Sequence, residues 1–376
     1  MNTKLNKDKV IIFDTTLRDG EQTAGAGLTV DEKMRIAKQL EKLNVDVIEA
    51  GFAGSSPGDF EAVKRIANEV DGPVVATLAR ALPSDIDIAA KALKGVQNAR
   101  IHTFLSSSDV HLMHQMRKDR ESIMVMAVDA VKRAKDYLED VEFSPMDAAR
   151  TEPQYLLEDI EATIAAGAKT INIPDTVGYA VPQQFGEIIK DICEKVPNVD
   201  QAIISVHCHD DLGMATINAL EAVKNGARQI ECTINGLGER AGNTALEEVV
   251  MAIKTRDNYF HLTTDVETRE IVNTSRLVSR VMGIVVPPNK PIVGENAFAH
   301  SSGIHQDGVL KAQNTYEIMS PESVGVPNNQ LNMTSRSGRH VIEHRLEELG
   351  YQKSDYDMDS LYESFLALAD QKGTVY

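Results

Sequence analysis

The chain has 376 residues, a net charge of −17 at neutral pH and three cysteines, so it is long enough for a large domain and a smaller one, each with its own core. Such acidity argues against nucleic acid or a membrane surface as partner, and Cys193, Cys208 and Cys232 lack the pairing and CxxC spacing of a disulfide framework or thiolate cluster. No apolar run approaches the ~20 residues of a bilayer span and MNTKLNKDKV carries no signal-peptide core, so a cytoplasmic protein is expected.

From Val10 onward short apolar runs alternate with longer amphipathic ones. VIIFD (10–14), DVIEAGF (46–52), VVATLA (74–79), ARIHTFL (99–105), VEFSP (141–145), TINIP (170–174), AIISVH (202–207) and ARQIECTI (227–234) read as strands. VDEKMRIAKQLEKLN (30–44), PQYLLEDIEATIAAG (153–167) and PQQFGEIIKDICEKV (182–196) carry apolar residues at three-and-four spacing and read as helices. Eight βα units over about 250 residues predict a closed (β/α)8 TIM barrel, with an open doubly wound sheet as the alternative. The alternation stops after about Thr255. Residues 285–308, rich in Pro, Gly and Ser, read as a linker or functional loop, and helical patterns return at 338–350 and 357–372. The expected organisation is a catalytic barrel over 1–280 and a linker with a small, mainly helical subdomain over 281–376.

In such a barrel the chemistry sits on the loops that follow the strands. The first strand is followed by TTLRDGEQ (15–22), and His102 and Thr103 lie near the end of the fourth. Glu142 and Ser144 belong to the fifth, and Asn172, Asp175 and Thr176 to the sixth. The seventh delivers VHCHDD (206–211) and the eighth NGLGERAGN (235–243). His207 and His209, two apart on a strand, leave on one face and offer two imidazoles to one metal. With Asp19, and Asn243 as a fourth oxygen, they form an N/O donor set suited to Mn²⁺, Mg²⁺, Zn²⁺ or Co²⁺. The plain alternatives are an Asp-Gly turn at Asp19, a helix N-cap at Asn243, and for Arg18 a simple carboxylate pairing rather than stabilisation of developing negative charge.

FDTTLRDGEQ, NIPDTVGY, SVHCHDDLGMA, NGLGERAGNTALEEV and AHSSGIHQDGVLK, in that order, resemble the 2-isopropylmalate synthase family from about Val10 to the C-terminus. The resemblance implies a Claisen-type condensation of acetyl-CoA with a 2-oxo acid, then thioester hydrolysis, with a divalent metal, most often Mn²⁺ or Mg²⁺. It implies Asp19, His207 and His209 as ligands with Asn243 as a weaker contact, Arg18 beside the oxo group, and Thr176 at the substrate carboxylate. Gln22, His102, Ser144 and position 146 fall at pocket positions. His305 corresponds to a histidine that reaches the active site of a second copy, which implies a homodimer with shared sites.

Two departures stand out. Relatives carry a glutamate two residues after the fifth-strand serine, where this chain has Met146 in FSPMDAART. A thioether neither accepts a proton nor orients a base, so Glu142, on the same strand face by even spacing, and His305 become the candidate substitutes. The chain also stops at QKGTVY (371–376), so the leucine-regulatory domain of family members is expected to be absent. Ala53, Gly54, Ala81 and Ser106 point to altered acceptor selection. The leading expectation is 3-methyl-2-oxobutanoate as acceptor. The alternatives are another 2-oxo acid, such as phosphonopyruvate, oxaloacetate, 2-oxoglutarate or pyruvate, and a catalytically impaired paralogue with a binding role.

Overall fold

The computed structural model describes residues 9–327, 330–331, 333–372 and 375; residues 1–8, where the sequence shows no signal-peptide core, and three of the last four residues lie outside these. Two compact units divide the chain, Met1–Val285 and Val286–Tyr376.

The first unit is a closed parallel barrel of eight strands in sequential order. They are β1 (Ile11–Asp14), β2 (Val47–Glu49), β3 (Val74–Arg80), β4 (Ala99–Ser106), β5 (Val141–Met146), β6 (Thr170–Asp175), β7 (Ile203–Cys208) and β8 (Gln229–Cys232). Pairing of β1 with β8 closes the ring and excludes the open sheet. The crossover helices start where local chemistry permits. Thr29 and Glu32 form a capping box before Val30–Leu43, and Ser56 caps Pro57–Glu69, which carries proline in its first turn.

The barrel interior is uneven. Towards β1–β3 it is apolar, with Phe13, Val47 and Ala76 in one cluster beside Ile11 and Val74. Across β4–β8 it is polar: Arg100 Nη1 meets Glu142 Oε2 at 2.8 Å and Gln229 Oε1 at 2.9 Å, so side chains of β4, β5 and β8 join across the lumen. Outward residues of the same strands, such as Ile101, Phe143, Ile171, Val206 and Ile230, are fully buried. The strands are therefore covered on both faces, as parallel barrels require.

The second unit has a short parallel pair, β9 (Ala299–His300) and β10 (Gln330–Leu331), and the helices Gly303–Lys311, Arg339–Glu348 and Met358–Lys372. Met333, Val341, Ile342, Phe365 and Ala369 form its core. The segment read as a linker over 285–308 thus contains a strand and the start of a helix. The sequence also missed the helix Ile271–Met282, the last long helix of the first unit. Among the described residues no helix is long and apolar enough to cross a membrane.

Candidate metal centre and active site

Three segments converge on one point at the C-terminal rim of the barrel. After β1 the chain turns tightly, with the N–H groups of Arg18, Asp19 and Gly20 all donating to Thr15 O, and this turn presents Asp19. His207 is held within β7. His209, just past its end, donates its N–H to Asp175 O and bridges to Asn243. The glycine-rich loop after β8 packs around Asn243 so closely that a Cβ on Gly238 would sit 2.2 Å from Asn243 Nδ2. A side chain there would displace the asparagine.

His207 Nε2 lies 3.2 Å and His209 Nε2 3.7 Å from Asp19 Oδ2, and the ligand atoms of the three residues lie within 4.8 Å of one another. His207 Nδ1 donates to Glu231 Oε2 at 2.8 Å, which fixes the tautomer that leaves Nε2 facing Asp19. Burial opposes ionisation of Asp19, yet the Arg18 guanidinium and His207 hold its carboxyl well below the usual range. Burial alone would also depress both imidazoles. Hydrogen bonds that His207 donates to Asp19 and Glu231 instead push it up to about 9, whereas burial and the neighbouring His207 push His209 down to about 3.

This donor set fits a divalent ion. It offers two imidazole nitrogens and a carboxylate, and the buried Asn243 Oδ1 has no hydrogen-bond partner although its Nδ2 donates to Leu237 O. An amide oxygen left orphaned in the interior beside three ligand groups is readily explained as a fourth contact to a cation.

The cleft above this point has a volume of about 220 Å³ and is lined by Arg18, Asp19, Gln22, His102, Ser144, Met146, Thr176, His207 and His209 among others. Arg18 Nε donates to Glu49 at 2.7 Å and its Nη1 lies 3.4 Å from Asp19, so it pairs with carboxylates while still facing the cleft. Met146 on β5 is on the cleft wall with Leu78 on β3 and Phe104 on β4, an apolar surface on the side of the ring away from β8, whereas Pro174 pairs with His207 next to the donor set.

Comparisons with known proteins bear on this geometry. A protein-family model described as HMGL-like matches residues 9–278, and one described as homocitrate synthase post-HMGL domain-like matches residues 292–373. A 2-isopropylmalate synthase of Psychromonas ingrahamii is 60% identical over 98% of this chain and 71% of that protein. One of Shewanella loihica is 59% identical with the same coverage. The chain belongs to the 2-isopropylmalate synthase family. Solved HMG-CoA lyases share its fold: that of Pseudomonas aeruginosa has a TM-score of 0.63 at 20% identity, covering 74% of this chain and 95% of the lyase. That of Brucella melitensis has a TM-score of 0.61 at 18% identity, covering 73% of this chain and 99% of the lyase.

Within this family site, three sequence-based readings need correction. Glu142 does not reach the cleft: it is fully buried below Ser144, with Oε2 on Arg100 at 2.8 Å and Oε1 on Gln229 at 2.7 Å, and burial pushes it up to about 7 against the pull of Arg100. It holds the barrel interior together. Asn243 is not a helix cap, because the following helix begins at Leu246 with Ala245 before it. Ala53, Gly54, Ala81 and Ser106 do not line the cleft. His305 belongs to the second unit, exposed on the helix Gly303–Lys311, its ring 4.4 Å from that of Tyr316.

Sequence reasoning missed Glu49 and Glu231, which anchor Arg18 and His207, and the Leu78 and Phe104 part of the apolar wall. The signal for the two acids was present. An acidic residue inside the short runs VIE and QIEC of a barrel buried on both faces requires a buried cationic or hydrogen-bonding partner. The wall left no such mark, since apolar residues on strands are read as core.

Proposed function

We propose that this chain condenses acetyl-CoA with 3-methyl-2-oxobutanoate and that water then hydrolyses the resulting thioester, giving 2-isopropylmalate and free CoA. The observation that carries the reading is the cleft's two-sided chemistry: donors for a metal and Arg18 after β1 and on β7, and an apolar wall of Leu78, Phe104 and Met146 on β3–β5, the side of the ring away from β8. A branched-chain 2-oxo acid has matching ends. Its carboxylate and oxo group belong with the cation, Arg18 and Thr176, and its isopropyl group with the wall. Burying such a group contributes about 1.5–3 kcal/mol.

Asp19, His207, His209 and Asn243 would hold the ion, and a mixed nitrogen and oxygen set of this kind favours Mn²⁺ over Mg²⁺. When bound, it supplies Lewis acidity to the oxo group. Arg18 stabilises negative charge as it develops on that oxygen. The reading extends to a homodimer in which His305 serves the site of a second copy.

A dianionic acceptor fits the cleft poorly. It needs a second cation, and the other arginine on the lining, Arg240, is already committed to Asp211 through two hydrogen bonds of 2.8 and 2.9 Å. Glu231 and Glu239 also face the cleft and would repel it.

The test is release of free thiol from acetyl-CoA with Mn²⁺ and a panel of 2-oxo acids. The expected result is turnover with 3-methyl-2-oxobutanoate at least about tenfold above pyruvate, oxaloacetate, 2-oxoglutarate and phosphonopyruvate, a difference of about 1.4 kcal/mol. Turnover confined to a dianionic acid overturns the acceptor. No turnover with any acid makes the chain a binding paralogue.

A further inference from the structure

Met146 supplies no carboxylate to the cleft wall, and Glu142 is sealed beneath the cleft. Two residues from Met146 along β5, however, Ser144 stands on the cleft wall and is tied to two groups behind it. Asn172 Nδ2 donates to Ser144 Oγ at 2.9 Å, and His102 Nε2 lies 2.7 Å from the same oxygen. The other ring nitrogen, His102 Nδ1, lies 2.8 Å from Glu49 Oε1.

The hydrogen positions follow from the partners. A carboxylate only accepts, so His102 Nδ1 carries the hydrogen and Nε2 of the neutral ring is a bare lone pair. Asn172 already donates to Ser144, so the serine hydroxyl points its own hydrogen at Nε2. The sequence of bonds is then Ser144 O–H to Nε2, and Nδ1–H to Glu49. Burial opposes charge on Glu49, but Arg18 and His102 bring its carboxyl down to about 2, so it stays ionised. Glu49 is 0%, His102 2% and Ser144 5% exposed, which keeps bulk water from competing for these bonds. A hydroxyl backed by an imidazole that a carboxylate orients is the arrangement that activates hydroxyls for proton transfer.

We infer that Ser144, through His102 and Glu49, takes the proton from the acetyl methyl carbon, an assignment that rests on the condensation reading above. As the C–H bond breaks, its proton moves to Ser144 Oγ while the hydroxyl's own proton moves to His102 Nε2. The carbon's electron pair forms the new C–C bond to the oxo carbon, and the C=O π pair moves onto the oxo oxygen. The imidazolium then returns a proton through Ser144 to that oxygen, which becomes a hydroxyl. The relay ends as it began and forming the carbon–carbon bond consumes no other reactant; water is consumed afterwards, when the product thioester is hydrolysed and CoA leaves as the thiol. Ser144 is the catalytic residue; His102 and Glu49 act through it.

The relay works only with His102 neutral. The groups facing that ring are Glu49 on β2, Glu142 on β5 and Glu231 on β8, the first two paired with Arg18 and Arg100 and the third with His207. Burial lowers the imidazole, but Glu231 and Glu49 outweigh it and raise His102 above its ordinary value. Turnover therefore climbs with pH through a value above about 6.5.

The test compares the parent with Ser144→Ala on acetyl-CoA and 3-methyl-2-oxobutanoate. The variant is expected to lose about 10²–10³-fold in kcat, to lose the pH-dependent limb, and to keep its KM for the oxo acid and its Mn²⁺ affinity by equilibrium dialysis within about threefold. Retained Mn²⁺ affinity also shows that the variant is folded. A kcat within about threefold of the parent, or a loss confined to KM, overturns the relay while the condensation stands. The parent's own pH profile is an independent check, since a kcat that shows no rise with pH above the ordinary imidazole range overturns the relay without any variant. A parent that releases no CoA overturns the condensation, and the relay with it.

Discussion

Two polar layers lie inside the barrel, two residues apart along the same strands, and they differ in completeness. In the lower one Arg100, Glu142, Gln229 and Ser205 satisfy one another, with Arg100 Nε also reaching Asp140 at 3.0 Å. In the upper one Glu49, His102, Ser144, His207 and Glu231 are also bonded, yet Glu231 Oε1 has no hydrogen-bond partner, nor have the neighbouring His209 Nδ1 and Asn243 Oδ1. The residue types are similar; Thr170 Oγ1, paired in register with Glu142, also lacks a hydrogen-bond partner, so the difference lies in the charged groups, whose bonding closes on itself only in the lower layer. A closed layer acts as a strut. An open layer, turned towards a cleft, retains capacity for a ligand, and the unsatisfied atoms mark where that ligand binds.

The largest expected effect comes from opening the closed layer. Arg100→Ala leaves Glu142 buried without its cation and should cost about 3–5 kcal/mol of stability, read by urea denaturation. The double variant Arg100→Met with Glu142→Gln removes both charges and should recover most of that loss. If the single variant is as stable as the parent, the lower layer is no strut and the contrast between the layers fails.

Next in size is the loss of a metal ligand from the open layer. His207→Ala should lower Mn²⁺ affinity by about 100-fold or more, with bound metal measured by elemental analysis and activity lost in parallel. Unchanged metal content would remove His207 from the ligand set. Mixing Asp19→Ala chains with His305→Ala chains tests the shared dimer site separately, since one hybrid site would be intact and part of the activity should return.

How much of this could be read from the sequence follows from the same contrast. The eight strands were legible to within two or three residues because parallel strands buried on both faces are continuous apolar runs between amphipathic helices. The convergence of Asp19, His207 and His209 was legible because ionisable groups at strand ends meet at one rim of a barrel. Glu142 was misplaced because even spacing reports which face of a strand a residue occupies, not how deep along the lumen it sits. Ser144, one step higher, reaches the cleft; Glu142 does not. The partners Glu49 and Glu231 were missed for a related reason, since their contacts are made with strands far away in sequence, such as the 2.8 Å bond from His102 to Glu49.

Met146→Glu is expected to have the smallest effect, and it tests the open layer most directly. If that layer already contains a complete proton path through Ser144, His102 and Glu49, restoring a carboxylate at 146 adds nothing the reaction needs. The side chain at 146 is half-buried on the cleft wall, so a glutamate there can turn its charge towards water, at a cost of about 1 kcal/mol or less. The variant's kcat with 3-methyl-2-oxobutanoate should therefore stay within about threefold of the parent, with any loss appearing in KM as the apolar wall becomes polar. A rise in kcat of about tenfold or more would mean that the parent lacks an effective base, and the relay would be wrong. A selective loss of activity on oxaloacetate, beside unchanged activity on the branched acid, would mean that the uncharged methionine had been admitting a second carboxylate, because a negative charge at 146 repels that acceptor and leaves the other alone. Steady-state kinetics on both acceptors therefore separates a cleft that has shifted its base from one that has changed its substrate.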